Sequence, residues 1–102
     1  MKYQLVLQFP NDTILGDAAV ALEEELSEVL GDSAYVDGHD HGQSQTSIFV
    51  FTSDPALTFD QASQVLQRKD LLDSVTAAHR DADGDLYTVI WPEDWSKEFK
   101  LD

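Results

Sequence analysis

The feature that most constrains the fold is an uninterrupted apolar run, Ile48–Phe51, which follows a polar segment bounded by Gly38 and Gly42. A run of β-branched and aromatic residues without polar alternation is typical of a strand that is covered on both faces. Pro55 marks its end, because proline cannot donate to a strand ladder and biases the preceding residue away from helix. We therefore predict that this run is the central strand of a sheet and that residues 38–42 form the loop before it.

The first third of the chain predicts a strand and then a helix. Apolar and polar residues alternate from Tyr3 to Phe9, which is the period of a strand with one buried face. Residues 13–30 then follow the helical period, and Gly31 is suited to end that helix in the left-handed conformation. The predicted apolar stripe of this helix consists of Ala18, Leu22, Leu26, Val29 and Leu30.

The rest of the chain predicts one more helix and three more strands. Residues 33–37 form a short strand that pairs with the central strand as a hairpin, and Thr58 with Gln61 fits a capping box at the start of a helix over 59–69. Residues 74–80 fit either a helical continuation or a strand. We favour a strand, because the Asp83-Gly84 turn signal and a clear strand over 86–91 follow.

The resulting order, β-α-β-β-α-β-β, predicts an α+β fold of the ferredoxin-like sandwich type, with an antiparallel sheet and two helices on one face. At 102 residues the chain is long enough for a single domain, 1–102, in which residues 93–102 form a C-terminal tail. Trp95 and Phe99, four residues apart, fit one helical turn in that tail. The sequence has no cysteine and no apolar run near the ~20 residues of a membrane span, so we expect a cytoplasmic protein without membrane association.

The net charge is extreme: 20 acidic residues stand against 6 basic ones, which gives −14. Binding to nucleic acid is not expected, since phosphate contacts need clustered Lys and Arg. Three explanations of the charge remain open. It can maintain solubility, it can be an adaptation to high salt, or it can steer the protein toward a basic protein partner, as inhibitors and immunity proteins of nucleases do.

The third explanation gives the function that we expect, a non-enzymatic interaction module. Its partner-binding residues would be the acidic helix face and the glycine-bounded loop, with an aromatic anchor in the tail. An exposed last strand, with Tyr87 and Trp91 on one side, could also pair with a second copy and form a homodimer. The predicted partner-binding residues are Glu24, Glu25, Glu28, Asp37, Asp40 and Trp95.

Two other classes of function stay open. His39 and His41 are two residues apart, so on an extended segment both rings lie on one side, together with Asp37. These side chains are ligands for zinc and similar divalent transition metals, although a polar turn explains the same residues. A small-ligand regulatory domain is the third alternative, by analogy of fold alone. No nucleophile elbow or glycine-rich phosphate loop is present, and we assign no catalytic residue.

The chain also resembles a known group of proteins. The segment Asp37-Gly38-His39-Asp40, the segment Thr52-Ser53-Asp54-Pro55 and the pair Trp91-Pro92 are similar to those of a group of small, acidic, uncharacterised bacterial proteins of about this length. The resemblance spans nearly the whole chain and implies a single domain with a strand over residues 75–80. It implies no activity, cofactor or site residue.

Overall fold

The structure is a computed structural model that describes residues 2–14 and 16–101. Its described part is an α+β fold with one antiparallel sheet of five strands and two helices. This confirms the predicted order of elements. The elements are β1 (Tyr3–Pro10), α1 (Gly16–Leu30), β2 (Ala34–His41), β3 (Gln45–Thr52), α2 (Pro55–Arg68), β4 (Thr76–Asp81) and β5 (Thr88–Trp91), with a 3-10 turn over Gly31–Ser33 between α1 and β2.

The strand order is β2-β3-β1-β4-β5, so β1 is the central strand. The prediction that Ile48–Phe51 is central was wrong, because β3 lies one position away from the middle. β1 pairs with both β3 and β4, and every residue from Gln4 to Phe9 is buried. A later segment covers one of its polar residues: Gln8 Nε2 donates to the carbonyl oxygen of Lys100 at 2.9 Å.

The main core lies between the sheet and the two helices. Leu5, Leu7 and Phe9 of β1 pack in one buried cluster with apolar side chains from both helices. The buried stripe of α1 differs from the predicted one, since Ala18 is exposed and Val29 is 42% exposed. The helix buries residues at spacings of three and four, namely Ala19, Leu22, Leu26 and Leu30.

Both predicted helices form, but each begins at a residue other than the predicted one. α1 starts at Gly16, after a turn in which Thr13 N donates to Pro10 O at 3.0 Å, and Leu15 lies outside the described residues. α1 ends as predicted at Gly31, whose φ of +55° is left-handed.

α2 begins four residues before the predicted start at 59. Asp54 is the N-cap, since its side chain accepts from Leu57 N at 3.1 Å, and Pro55 occupies the first turn. The capping box predicted at Thr58 and Gln61 was therefore wrong. Thr58 is buried, and its hydroxyl bonds to that of Thr52 at 2.6 Å.

The loop predicted over residues 38–42 was wrong, because residues 38–41 belong to β2. It pairs with β3 as far as His41, with a β-bulge between Val36 and Gly38. Gly38 has a φ of +147°, which a residue with a side chain rarely adopts, so glycine suits this bulge. The hairpin with β3 is confirmed, and its loop is closed by Gly42 N, which donates to Gln45 O at 2.8 Å.

The C-terminal third is extended. The strands predicted over 74–80 and 86–91 are confirmed as β4 and β5, and Gly84 N donates to Asp81 O at 2.9 Å in the turn after β4. The helical turn predicted around Trp95 and Phe99 does not form. Instead Phe99, only 8% exposed, packs with Val6 and Ala78 on the sheet face opposite the helices. Asp102 lies outside the described residues.

No helix within residues 2–14 and 16–101 combines the length and the apolar character that crossing a membrane requires.

Candidate functional site

The three glutamates predicted on the acidic face of α1 differ in their contacts. Glu24 and Glu28 are exposed and form no ion pair with any described residue. Glu25 instead joins α1 to the end of α2: its Oε2 lies 3.1 Å from Lys69 Nζ, as an ion pair without hydrogen-bond geometry, and its Oε1 lies 3.8 Å from Arg68. Glu25 therefore serves contacts inside the chain, while Glu24 and Glu28 are open to a partner.

The edge strand β2 carries further exposed carboxylates. β2 packs against α1 and forms one edge of the sheet, with Asp37 and Asp40 exposed along it. Tyr35 on the same strand is 58% exposed, which makes it one of the large apolar side chains most open to solvent. We call this surface the acidic edge and define it as Glu24, Glu28, Asp32, Tyr35, Asp37 and Asp40.

No cation lies near the acidic edge in the sequence, since residues 3–67 contain neither Lys nor Arg. Most basic side chains of the C-terminal third are engaged within the chain. Arg68 and Lys69 face Glu25, and Lys100 lies 3.9 Å from Glu98. Arg80 donates from one nitrogen to three backbone carbonyls in the turn after β4, at 2.9 to 3.0 Å. Among the described residues, no carboxylate of the acidic edge forms an ion pair.

His39 and His41 lie on the same face of β2, the face that packs against the helices. They pair across the hairpin with Ile48 and Thr46, both of which are buried on that face. His39 Nδ1 bonds to the carboxylate of Glu23 on α1. The side chains of His39 and Glu23 are partly buried, with 31% and 20% of their surfaces exposed.

His41 is held by a second, separate chain of hydrogen bonds. Its Nδ1 lies 2.9 Å from the hydroxyl of Thr46, which donates to Asn11 Oδ1 at 2.7 Å. The Asn11 amide in turn donates to Gly42 O at 3.0 Å and so is fixed in orientation. Both histidines of β2 are therefore bonded through Nδ1.

Asp37 does not join the histidines in the way predicted. The predicted alignment depended on a regular strand, and the β-bulge between Val36 and Gly38 breaks the count at Asp37. Across the described ranges, no three His, Asp or Glu side chains lie close enough together to hold a metal ion. His39 and His41 remain as a pair of candidate ligands.

Trp95 lies away from the acidic edge. With Tyr87 and Phe99 it lines an open depression of about 410 Å³ on the sheet face opposite the helices. Its Nε1 is buried and has no hydrogen-bond partner among the described residues. Trp91, by contrast, packs on Phe59 with ring centroids 6.0 Å apart and donates to Leu72 O at 3.0 Å, so it covers the core.

The sequence does not predict three residues that support the two histidines: Glu23, Thr46 and Asn11. Glu23 is 16 residues from His39 in the sequence. Asn11 and Thr46 are 35 residues apart and meet only because β1 and β3 are neighbours. No local spacing in the sequence indicates either contact.

The resemblance suggested by segments such as Asp37–Asp40 stays a prediction. No protein-family model matches this chain, and neither does any curated protein or solved structure.

Proposed function

We propose that this chain is a non-enzymatic interaction module that binds a basic protein through the acidic edge, in the manner of an inhibitor or immunity protein. The observation that supports this most is the set of exposed carboxylates on α1 and β2 that have no ion-pair partner among the described residues. Leaving like charges together in one region costs free energy in the isolated protein. A basic partner would remove that cost.

The electrostatic field of such a surface mainly affects how fast and how selectively the protein associates with a partner. Complementary charge raises association rates by ~10 to 1,000-fold and disfavours partners of the wrong sign. Tyr35 can contribute binding energy, because it is a large amphipathic ring that can be buried at the centre of an interface. β2 as an edge strand also offers backbone groups to an extended segment of the partner.

The proposal changes the set of residues that the sequence suggested. Glu24, Glu28, Asp37 and Asp40 remain, Asp32 is added, and Tyr35 takes the place of Trp95 as the aromatic anchor. Glu25 is left out because Lys69 and Arg68 already neutralise it. Trp95 is left out because it lies with Tyr87 and Val89 beside β5, at the edge of the sheet opposite β2.

The first test is a pull-down with the tagged protein from a lysate of its source cell, washed at low and at high salt. We expect one basic protein to be retained in near-stoichiometric amount at low salt and released at high salt, because exposed charges are screened. Mass spectrometry then names the partner. A column that retains nothing at low salt, or a partner indifferent to salt, would contradict the proposal.

The association rate of that partner should then depend on where charge is changed. We expect E24K/E28K to slow association about tenfold or more. The matched control is D83K/D85K, which makes the same change in net charge at exposed positions in the turn between β4 and β5. Equal losses in both variants would show that net charge, and not the acidic edge, governs binding.

We also propose that the fold is the ferredoxin-like sandwich with one added strand. Support comes from the antiparallel order β2-β3-β1-β4 and from the single core cluster that both helices share with β1. β5 then extends the sheet at the edge farthest from the acidic edge. An experimental structure with the two helices on opposite sheet faces would contradict this assignment.

A further inference from the structure

We infer that His39 and His41 form a site for one divalent transition-metal ion such as Zn²⁺ or Ni²⁺, bound through the Nε2 atoms of both rings. The inference does not depend on the acidic edge binding a protein. It rests on the hydrogen bonds that fix the two rings.

The tautomer of His41 follows from counting protons. The single hydroxyl proton of Thr46 is donated to Asn11 Oδ1, and the Asn11 amide is oriented by its own bond to Gly42 O. The Thr46 oxygen can therefore only accept from His41 Nδ1. In the neutral ring the proton is then on Nδ1, and Nε2 carries a free lone pair.

A different hydrogen bond predicts the same tautomer for His39. Its Nδ1 partner is the carboxylate of Glu23, and an ionised carboxylate can only accept. The neutral ring therefore also places its proton on Nδ1 and its lone pair on Nε2. A carboxylate behind a histidine in this way orients the ring and makes the other nitrogen a stronger ligand, as in carboxylate–histidine–zinc arrangements.

The two lone pairs belong to rings on the same face of one strand. His39 and His41 are separated by about 6.6 Å along β2, since a strand rises about 3.3 Å per residue. Two neutral imidazoles suit zinc, nickel and copper better than magnesium or calcium, which prefer oxygen. With no third protein ligand among the described residues, the remaining coordination positions fall to water or to a group from outside the chain.

Calorimetric titration with Zn²⁺ and with Ni²⁺ tests the site, in excess Mg²⁺ to occupy the surface carboxylates. We expect about one ion per chain, and a loss of affinity of about tenfold or more in H39A and in H41A. H79A is the matched control, because His79 lies on β4, against Tyr3, and should leave the affinity unchanged. Binding by the H39A/H41A double variant with the affinity of the unmodified protein would overturn the inference.

Glu23 and Thr46 are positioning residues, and their variants separate this role from general charge. E23A should weaken binding about tenfold or more, the range for groups that orient a metal ligand. E24A removes the same charge from the neighbouring exposed position and should leave affinity unchanged. T46V should likewise weaken binding without changing the charge. Equal effects of E23A and E24A would contradict the positioning role.

Nuclear magnetic resonance gives a readout that needs no metal. Long-range proton–nitrogen correlations, recorded where the rings are neutral, should show His39 and His41 with the proton on Nδ1. T46V should move the His41 ring toward the opposite tautomer while the His39 signals stay in place. Protons on Nε2 in the unmodified protein would overturn the inference, since those nitrogens would then have no lone pair to offer.

Discussion

Single side chains decide where α2 begins. Asp54 accepts from Leu57 N, and Pro55 follows it in the first turn, so the residues that end β3 also start the helix. We expect D54A to lower the free energy of unfolding by about 1 kcal/mol, because an N-cap side chain satisfies a backbone N–H group that otherwise has no partner.

Urea denaturation measures this effect. D60A is the control, since Asp60 is an exposed carboxylate of the same helix and provides no side-chain cap. Its removal should change the stability by less than about 0.5 kcal/mol. An equal loss in both variants would mean that Asp54 acts through its charge and not as a cap.

At the scale of elements, the C-terminal segment after β5 acts as a cover for the second sheet face. Phe99 packs on Val6 and Ala78, its ring centroid lies 5.0 Å from that of Tyr87, and Gln8 bonds to the backbone of Lys100. This contact explains why Gln8 of the central strand is buried. The buried ring of Phe99 and the long-range hydrogen bond between Gln8 and Lys100 hold the segment against the sheet.

We expect F99A to lower the free energy of unfolding by about 3 kcal/mol, the usual cost of removing a buried aromatic ring. Backbone amides in residues 93–101 should also exchange faster, because the segment loses its main anchor. L101A, at a position 42% exposed, is the control and should change both quantities little. Unchanged exchange in F99A would show that other contacts hold the segment.

For the whole molecule, the net charge of −14 predicts that salt stabilises the fold. Like charges on a compact chain repel one another, and the screening length falls to about 10 Å at 0.1 M salt. We expect the urea midpoint to rise with NaCl and to level off within a few hundred millimolar.

The shape of that curve separates the open explanations of the charge. A plateau at moderate salt is the behaviour of simple screening. A rise that continues into molar KCl would instead identify adaptation to high salt. A midpoint that does not change with salt would contradict the premise that the acidic residues repel one another in the folded state.

Patterns within a few residues determined much of the local structure. The alternation from Tyr3 to Phe9, the helical spacing of Leu22, Leu26 and Leu30, and the left-handed Gly31 each depend on neighbours along the chain. Periodicity and conformational preference are local properties, so the sequence alone predicted seven elements in the right order.

Other features depended on which segments became neighbours in space. β1 is central because it pairs with both β3 and β4, and the C-terminal segment returns over part of its second face. His39 meets Glu23 only when β2 packs against α1, and His41 meets Thr46 only when the hairpin closes in one register with its bulge. The sequence by itself determined the elements and the charge of this protein. The tertiary structure decided which carboxylates are free and which histidine nitrogens are available, because both depend on contacts between residues far apart in the chain.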